Sequence, residues 1–365
     1  MQSRPLIIIT TRLPPQICGI GTFSWQLERY WPDRKSANRF LVVDGASESQ
    51  RVLERTRISE FGNDWKALGR ALDEAGPVDV LLHYAGRGYQ RYGCPLGLPP
   101  VLQKWRTKFS GARLAIFFHE LPGYFPITSR HYWLNVCSRG IARKLANLAD
   151  LLITNTEEHV RTLQKISGRT DISSLPVGSN IENTTTDNQN AEQAEFVIFG
   201  LPFSRWQTLE VFDSHIRAWQ ESGILTKLHL IGPPDGKFDL RSERLIREYP
   251  QPATVIRHAE IPAADVSRVL SETRFALTTA NDLTWGKSTT FMAYLAHGCV
   301  VVADADSDRE PLSWTIRPKE VETLSTDELR SRANAGRRWY ETHAGWKVLA
   351  AKISELIGNL PGRVL

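Results

Sequence analysis

The sequence predicts an α/β protein built from two Rossmann-like parallel-sheet domains with a helical tail. Three observations carry this reading. Short continuous apolar runs, each ending at a polar or small residue, alternate with amphipathic helical patterns. Strands buried on both faces read this way, with helices covering them. The series stops at Asn180–Gln193, NIENTTTDNQNAEQ, which holds almost no apolar residue, and then begins again. The chain closes on a long helical pattern, Ser325–Leu356. A length of 365 residues also favours more than one domain. The expected divisions are an N-terminal domain over 1–180, a linker over 181–194, a second domain over 195–340 and a helical tail over 341–365.

Composition excludes several classes. No stretch approaches the ~20 apolar residues of a membrane span. The opening MQSRPLIIITTRLPP reads as a strand and not as a signal peptide. Cys18, Cys94, Cys137 and Cys299 stand singly with no CxxC spacing, which argues against a disulfide framework or a zinc site and fits a reducing cytoplasm. The formal charge is +5, mildly favouring anionic ligands. The basic residues look dispersed, so nucleic acid is not expected as a partner.

In chain order, Leu6–Thr11 reads as the first strand and Phe23–Trp31 as a helix ended by Pro32. Between them Gly19-Ile20-Gly21-Thr22 forms a Gly-x-Gly loop, where backbone amides can approach a phosphate or a sugar. It lacks the third glycine of a dinucleotide fingerprint. Strand runs follow at Phe40–Val43, ending at Asp44; Val78–Leu82, ending at His83; Arg113–Phe118, ending at His119-Glu120; and Leu151–Thr154, ending at Asn155. Trp65–Glu74 and Arg139–Asp150 are the clearest helices between them. The second series runs Phe196–Phe199, helix Leu209–Trp219, Lys227–Ile231, Thr254–Arg257, helix Pro262–Glu272, Phe275–Thr279 and Cys299–Ala303.

Asn281–Asp304, NDLTWGKSTTFMAYLAHGCVVVAD, holds the most specific local pattern. A polar loop leads through Trp285-Gly286-Lys287-Ser288-Thr289 into a short apolar helix, and Gly298 precedes a strand. Ser288 and Thr289 suit an N-cap, and Lys287 sets a cation beside the unpaired amides of a helix start. The expected ligand carries phosphate. A nucleotide-triphosphate loop would need glycine at position 281, which is Asn.

This organisation, with Pro14-Pro15 leading to Gly19-Ile20-Gly21-Thr22, resembles the GT-B glycosyltransferases. The stretches Tyr89–Pro95 and Phe117–Leu121, and Asp282-Leu283 followed by Gly286-Lys287-Ser288 and Ala293–Gly298, look like a bacterial branch of retaining group 1, family 4-like enzymes that build extracellular polysaccharides. The resemblance implies two domains facing a cleft, with a nucleotide-sugar donor held by the second domain and an acceptor by the first. It implies a hexosyltransferase reaction without a metal or other cofactor. Many retaining members carry a glutamate pair before the closing glycine. Aligned on Gly298, those positions are Trp285 and Ala293, and only Asp282 is acidic nearby.

The departing diphosphate needs its charge neutralised, and cations with a helix N-terminus can do this. Arg205, Lys287, Ser288 and Thr289 are the candidates, with Trp206, Asp282, Trp285 and Gly286 beside them; the two tryptophans, of eleven, are the ones placed to stack on a sugar. An inverting reaction needs a base, and His119, Glu120 or Asp44 could supply it. In a retaining reaction His119 would position substrate. His83, Arg87 and Arg91 could contact an anionic acceptor such as a lipid pyrophosphate, and His297 reads as structural. Asp304-Ala305-Asp306 has the spacing of a metal-binding acidic pair but reads as a turn. The leading expectation is a cytoplasmic glycosyltransferase acting on a glycan or lipid-linked acceptor in bacterial surface-polysaccharide synthesis. A lipid-linked acceptor would bring the chain to the inner membrane face, although no continuous amphipathic stretch commits it there. The rivals are a GT-B-shaped scaffold or binding partner without catalysis, motivated by the missing carboxylates, and a nucleotide-sugar epimerase.

Overall fold

The computed structural model describes residues 5–14, 16, 18–32, 38–44, 56–123, 126–129, 131–183, 195–304 and 307–360. Most of the linker stretch and the Ala305-Asp306 part of the acidic triplet lie outside them. The chain divides into two compact units. The first takes Met1–Pro176 together with Trp346–Leu365, the second Val177–Gly345.

In the first unit the strands are β1 (Leu6–Arg12), β2 (Arg39–Asp44), β3 (Arg57–Glu60), β4 (Asp79–Tyr84), β5 (Arg113–Phe118), β6 (Leu151–Thr154) and β7 (Ile172–Ser174). They form one parallel sheet in the order β3-β2-β1-β4-β5-β6-β7. β4 and β6 are buried throughout, as expected where helices cover both faces. The longer helices are α1 (Gly19–Arg29), α2 (Trp65–Ala75), α3 (Leu98–Lys108), α4 (Tyr132–Leu148) and α5 (Glu157–Ser167). Trp105 of α3 is wholly buried, and its indole N–H donates to the Gly76 carbonyl at 3.1 Å, so the ring is buried with its polar atom satisfied.

The second unit holds β8 (Glu195–Phe199), β9 (Lys227–Ile231), β10 (Val255–His258), β11 (Phe275–Thr278) and β12 (Val300–Ala303), parallel in the order β10-β9-β8-β11-β12. Its longer helices are α6 (Pro202–Glu221), α7 (Gly236–Arg247), α8 (Ala263–Glu272), α9 (Thr289–Ala296) and α10 (Thr326–His343). Phe196, Phe212 and Trp219 form an aromatic centre, with Phe196 stacked on Trp219 at 5.0 Å and on Phe275 at 4.7 Å.

The expected long tail is two helices. α10 ends at His343, and α11 (Trp346–Gly358) belongs to the first unit, where Trp346 meets Phe23 of α1 edge-on at 5.1 Å. The edge strands β3 and β7 escape sequence reading because RISE and ISS each carry one apolar residue. α4 begins at Tyr132 rather than Arg139. Among the described residues no helix is long and apolar enough to cross a membrane.

Candidate functional site

Open parallel sheets bind ligands where the strand order reverses, at the C-terminal ends of the strands. In the second unit that point lies between β8 and β11. Gly200 (φ 143°) and Gly232 (φ 141°) follow β8 and β9, a backbone region open to glycine. A Cβ on Gly232 would lie 2.1 Å from the Gly200 oxygen and 2.4 Å from Arg205 Nη1. One on Gly200 would stand 3.3 Å from Thr290 Oγ1. Two strand-end loops and the start of α9 therefore converge, with the Arg205 guanidinium and the Thr290 hydroxyl at their meeting point.

Ser288 caps α9: its Oγ accepts from the Phe291 amide at 3.1 Å. The first amides of a helix have no intrahelical partners and carry its positive dipole end. Lys287 is exposed in the turn Trp285–Lys287 immediately before. Gly286, in the same turn, is buried, and its carbonyl accepts from the Val177 amide at 2.9 Å.

Arg205 is buried and already engaged. Its guanidinium donates to the Gly200 oxygen (2.8 Å), the Pro233 oxygen (2.9 Å) and Asp239 (3.2 Å). Burial lowers its pKa and Asp239 offsets part of that. It holds the two glycine loops together, so its charge reaches the site through them. Trp206 stacks on Phe238 at 5.7 Å, with Arg241 over its ring at 4.7 Å and Phe203 beside it. Trp285 lies edge-on to Trp339 at 5.5 Å. Asp282 is exposed and accepts from Ser307 Oγ at 2.7 Å. Ala293 is wholly buried, so a carboxylate at that position would need the helix packing to open.

Sequence reading missed a polar chain across this sheet. Glu195 accepts from Lys227 (2.6 Å) and pairs with His229 Nε2 (3.0 Å), and His229 Nδ1 lies 2.9 Å from His258 Nε2. Burial pushes Glu195 up, but the hydrogen bonds from Lys227 and His229 outweigh it and hold the carboxyl below its ordinary value. An ionised Glu195 fixes His229 with its proton on Nε2. His258 then donates from its own Nε2, leaving its Nδ1 as an acceptor at the end of β10. The signal lay in alternate positions of neighbouring strands, which only the register reveals.

In the first unit the order reverses between β1 and β4. The Gly-x-Gly stretch is the first turn of α1: Cys18 caps it, its sulfur accepting from the Gly21 amide at 3.4 Å. A Cβ on Gly21 would lie 1.5 Å from the Arg12 oxygen, so this glycine lets the helix sit on the strand end. Ile20 and Thr22 are half-buried and Gly19 is exposed. His83 and His119 meet at 2.9 Å, Nδ1 to Nε2, beneath Phe23. Burial lowers His83 to about 3. His119 falls well below its ordinary value, first by burial and then by His83 and His159. Both rings are neutral near pH 7. His83 Nε2 is buried without a partner. Placing the His83 proton on Nδ1 leaves only a lone pair there. His119 then carries its proton on Nδ1 and offers a donor, not a base. Glu120 beside it is exposed, and Asp44 pairs with Arg12 at 3.4 Å. Arg87 and Arg91 are exposed, Arg91 lying over Tyr92. His297, buried, bonds Ser267 and the Ala293 oxygen, and burial lowers it to about 4.

The structure thus gathers Gly200, Arg205, Gly232, Ser288 and Thr290 at one sheet and His83 with His119 at the other. Asp44, Glu120 and Asp282 are not drawn into either group. Among the described residues no group of three or more His, Cys, Asp or Glu is arranged to hold a metal ion.

Two parallel Rossmann-like sheets, of seven and five strands, with a C-terminal helical tail give the chain the GT-B fold. No protein-family description matches its sequence, and no curated protein does. Among solved structures it is similar to HepE of Anabaena in complex with UDP and glucose, at 11% identity and TM-score 0.68, covering 98% of this chain and 100% of that one. It is also similar to a glycosyltransferase from Rickettsia africae, at 10% identity and TM-score 0.69, with 99% of each chain covered. Sucrose-phosphate synthase of Thermosynechococcus elongatus matches at 14% identity and TM-score 0.69, over 98% of this chain and 99% of the other.

Proposed function

We propose that this protein is a cytoplasmic glycosyltransferase that moves a hexosyl group from a nucleotide-sugar donor to a glycan or lipid-linked acceptor. The observation that carries the reading is the close approach of the Gly200 and Gly232 loops, tied by Arg205, to the Ser288-capped start of α9, with Lys287 exposed beside it. Backbone amides and a cation there suit a diphosphate. HepE, similar in fold, binds UDP-glucose. In the transfer, the bond from the anomeric carbon to the diphosphate oxygen breaks. The acceptor oxygen bonds that carbon, and its proton passes to the departing diphosphate oxygen. Lys287 and the helix start stabilise the departing charge, so no metal or cofactor is assigned. The acceptor falls to the first unit, with His119 donating a hydrogen bond to a substrate hydroxyl. The polysaccharide role rests on the sequence resemblance.

A second reading, a binding partner without catalysis, is favoured by Trp285 packed on Trp339 and Ala293 buried where a glutamate pair is expected. Thermal shifts with UDP-, GDP- and ADP-sugars, followed by transfer assays on lipid-linked and soluble glycans, separate the two. Stabilisation with turnover supports the enzyme. Stabilisation without turnover across the panel supports the binding partner, and no stabilisation by any nucleotide sugar refutes both. Release of an isomerised donor in the absence of acceptor would instead identify an epimerase.

A further inference from the structure

Between Asp79 and Asp150 the sequence holds ten Lys and Arg against a single acid, Glu120. Arg106, Lys108 and Arg113 are taken up by Asp150, Asp73 and Asp79. Arg91, Arg139, Arg143 and Lys144 are exposed with no ion pair among the described residues.

These cations share a face with exposed apolar side chains. On α4 the outward stripe reads Trp133, Val136, Arg139, Arg143 and Lys144, the helical repeat bringing them to one side, while Ile141, Ala142 and Leu145 turn to the core. Trp133 is 76% exposed, Ile127 in the turn before α4 is 75% and Leu96 is 69%. The Tyr92–Leu96 loop lies against the start of α4, where Cys94 Sγ approaches the Leu134 oxygen at 3.8 Å. A folded chain rarely leaves a tryptophan this open.

We propose that this face of the first unit docks on an anionic lipid bilayer. The early part of α4 and the Tyr92–Leu96 loop would enter the interfacial layer, and Arg139, Arg143 and Lys144 would meet headgroup phosphates. Aromatic and aliphatic tips beside cations with long apolar stems match the graded polarity of that layer. An acidic protein or nucleic acid would engage the cations but leave the apolar tips unsatisfied, and a second copy would set the cations against themselves. The docking is independent of the transfer reading and is measured without any sugar nucleotide.

The test is co-sedimentation of the full chain with phosphatidylcholine vesicles, with and without phosphatidylglycerol. The chain should bind the anionic vesicles and release them as salt rises. Arg139→Gln with Arg143→Gln should weaken partitioning about 25-fold, about fivefold per cation. Trp133→Ser and Leu96→Ser should each weaken it several-fold with thermal unfolding unchanged, since both sites are exposed. Equal binding to both vesicle types, no binding to either, or unaltered binding in all variants would overturn the proposal. So would a dimer in light scattering that Trp133→Ser dissociates.

Discussion

The buried histidines make acid a specific probe of this fold. His83 is lowered to about 3 and His297 to about 4, against an ordinary value of 6.5, both chiefly by burial. The unfolded chain therefore binds protons below about pH 6.5 that the folded chain refuses. Stability is complete above that value and is lost as pH falls toward the folded values. From pH 7 to pH 5 each histidine should cost about 2 kcal/mol. His119, also buried and lowered, adds in the same direction. His83→Phe keeps an aromatic ring against Phe23 and Phe117 but cannot take up a proton. Whatever it does at pH 7, its further loss between pH 7 and pH 5 should be smaller than wild type by about 2 kcal/mol. Urea unfolding at the two pH values, read from backbone amides of β4 and β5 by hydrogen exchange, measures this. An identical pH dependence in the variant would show that His83 takes up its proton in the folded state and refute the burial argument.

Other outcomes follow from the site. Gly21→Ala should destabilise the first unit by about 3 kcal/mol or more, because its Cβ would overlap the Arg12 carbonyl; calorimetry reads this. Arg205→Ala should cost about 3 kcal/mol by orphaning the Gly200 and Pro233 carbonyls, and donor affinity should fall with the loosened loops. Lys287→Ala should lower affinity for a nucleotide sugar by about 1.5–3 kcal/mol and leave the unfolding midpoint unchanged, as isothermal titration and thermal melts would show. Glu195→Gln should free the His229 tautomer. The change would appear in imidazole nitrogen shifts by NMR, whereas unaltered shifts would dismiss the tautomer chain.

The fold was legible because central parallel strands such as LLIT and VVVA are apolar from end to end. Edge strands lack that signature, since water reaches one side of them, and RISE and ISS passed unseen. The α9 cap was legible too: Ser288 before an apolar run is a local signal. Arg205 illustrates the limit. Its position after β8 suggested a phosphate ligand, but only the fold reveals that carbonyls of two separate loops converge on it. The Glu195–His229–His258 chain required strand register, and the basic face required knowing which side of α4 is outward. In the sequence those same cations looked scattered.

Trp346 and the break before it bear on how the chain is made. The helix that packs on α1 leaves the ribosome only after the whole second unit, whereas α1 leaves before it. The second unit is contiguous from Val177 to Gly345 and can complete its own sheet during synthesis. The first unit waits, with the Phe23 edge of α1 uncovered, until residues beyond 345 emerge. Translation that stops at Gly345 would release a finished second unit joined to an unfinished first one, a substrate for chaperones and proteases.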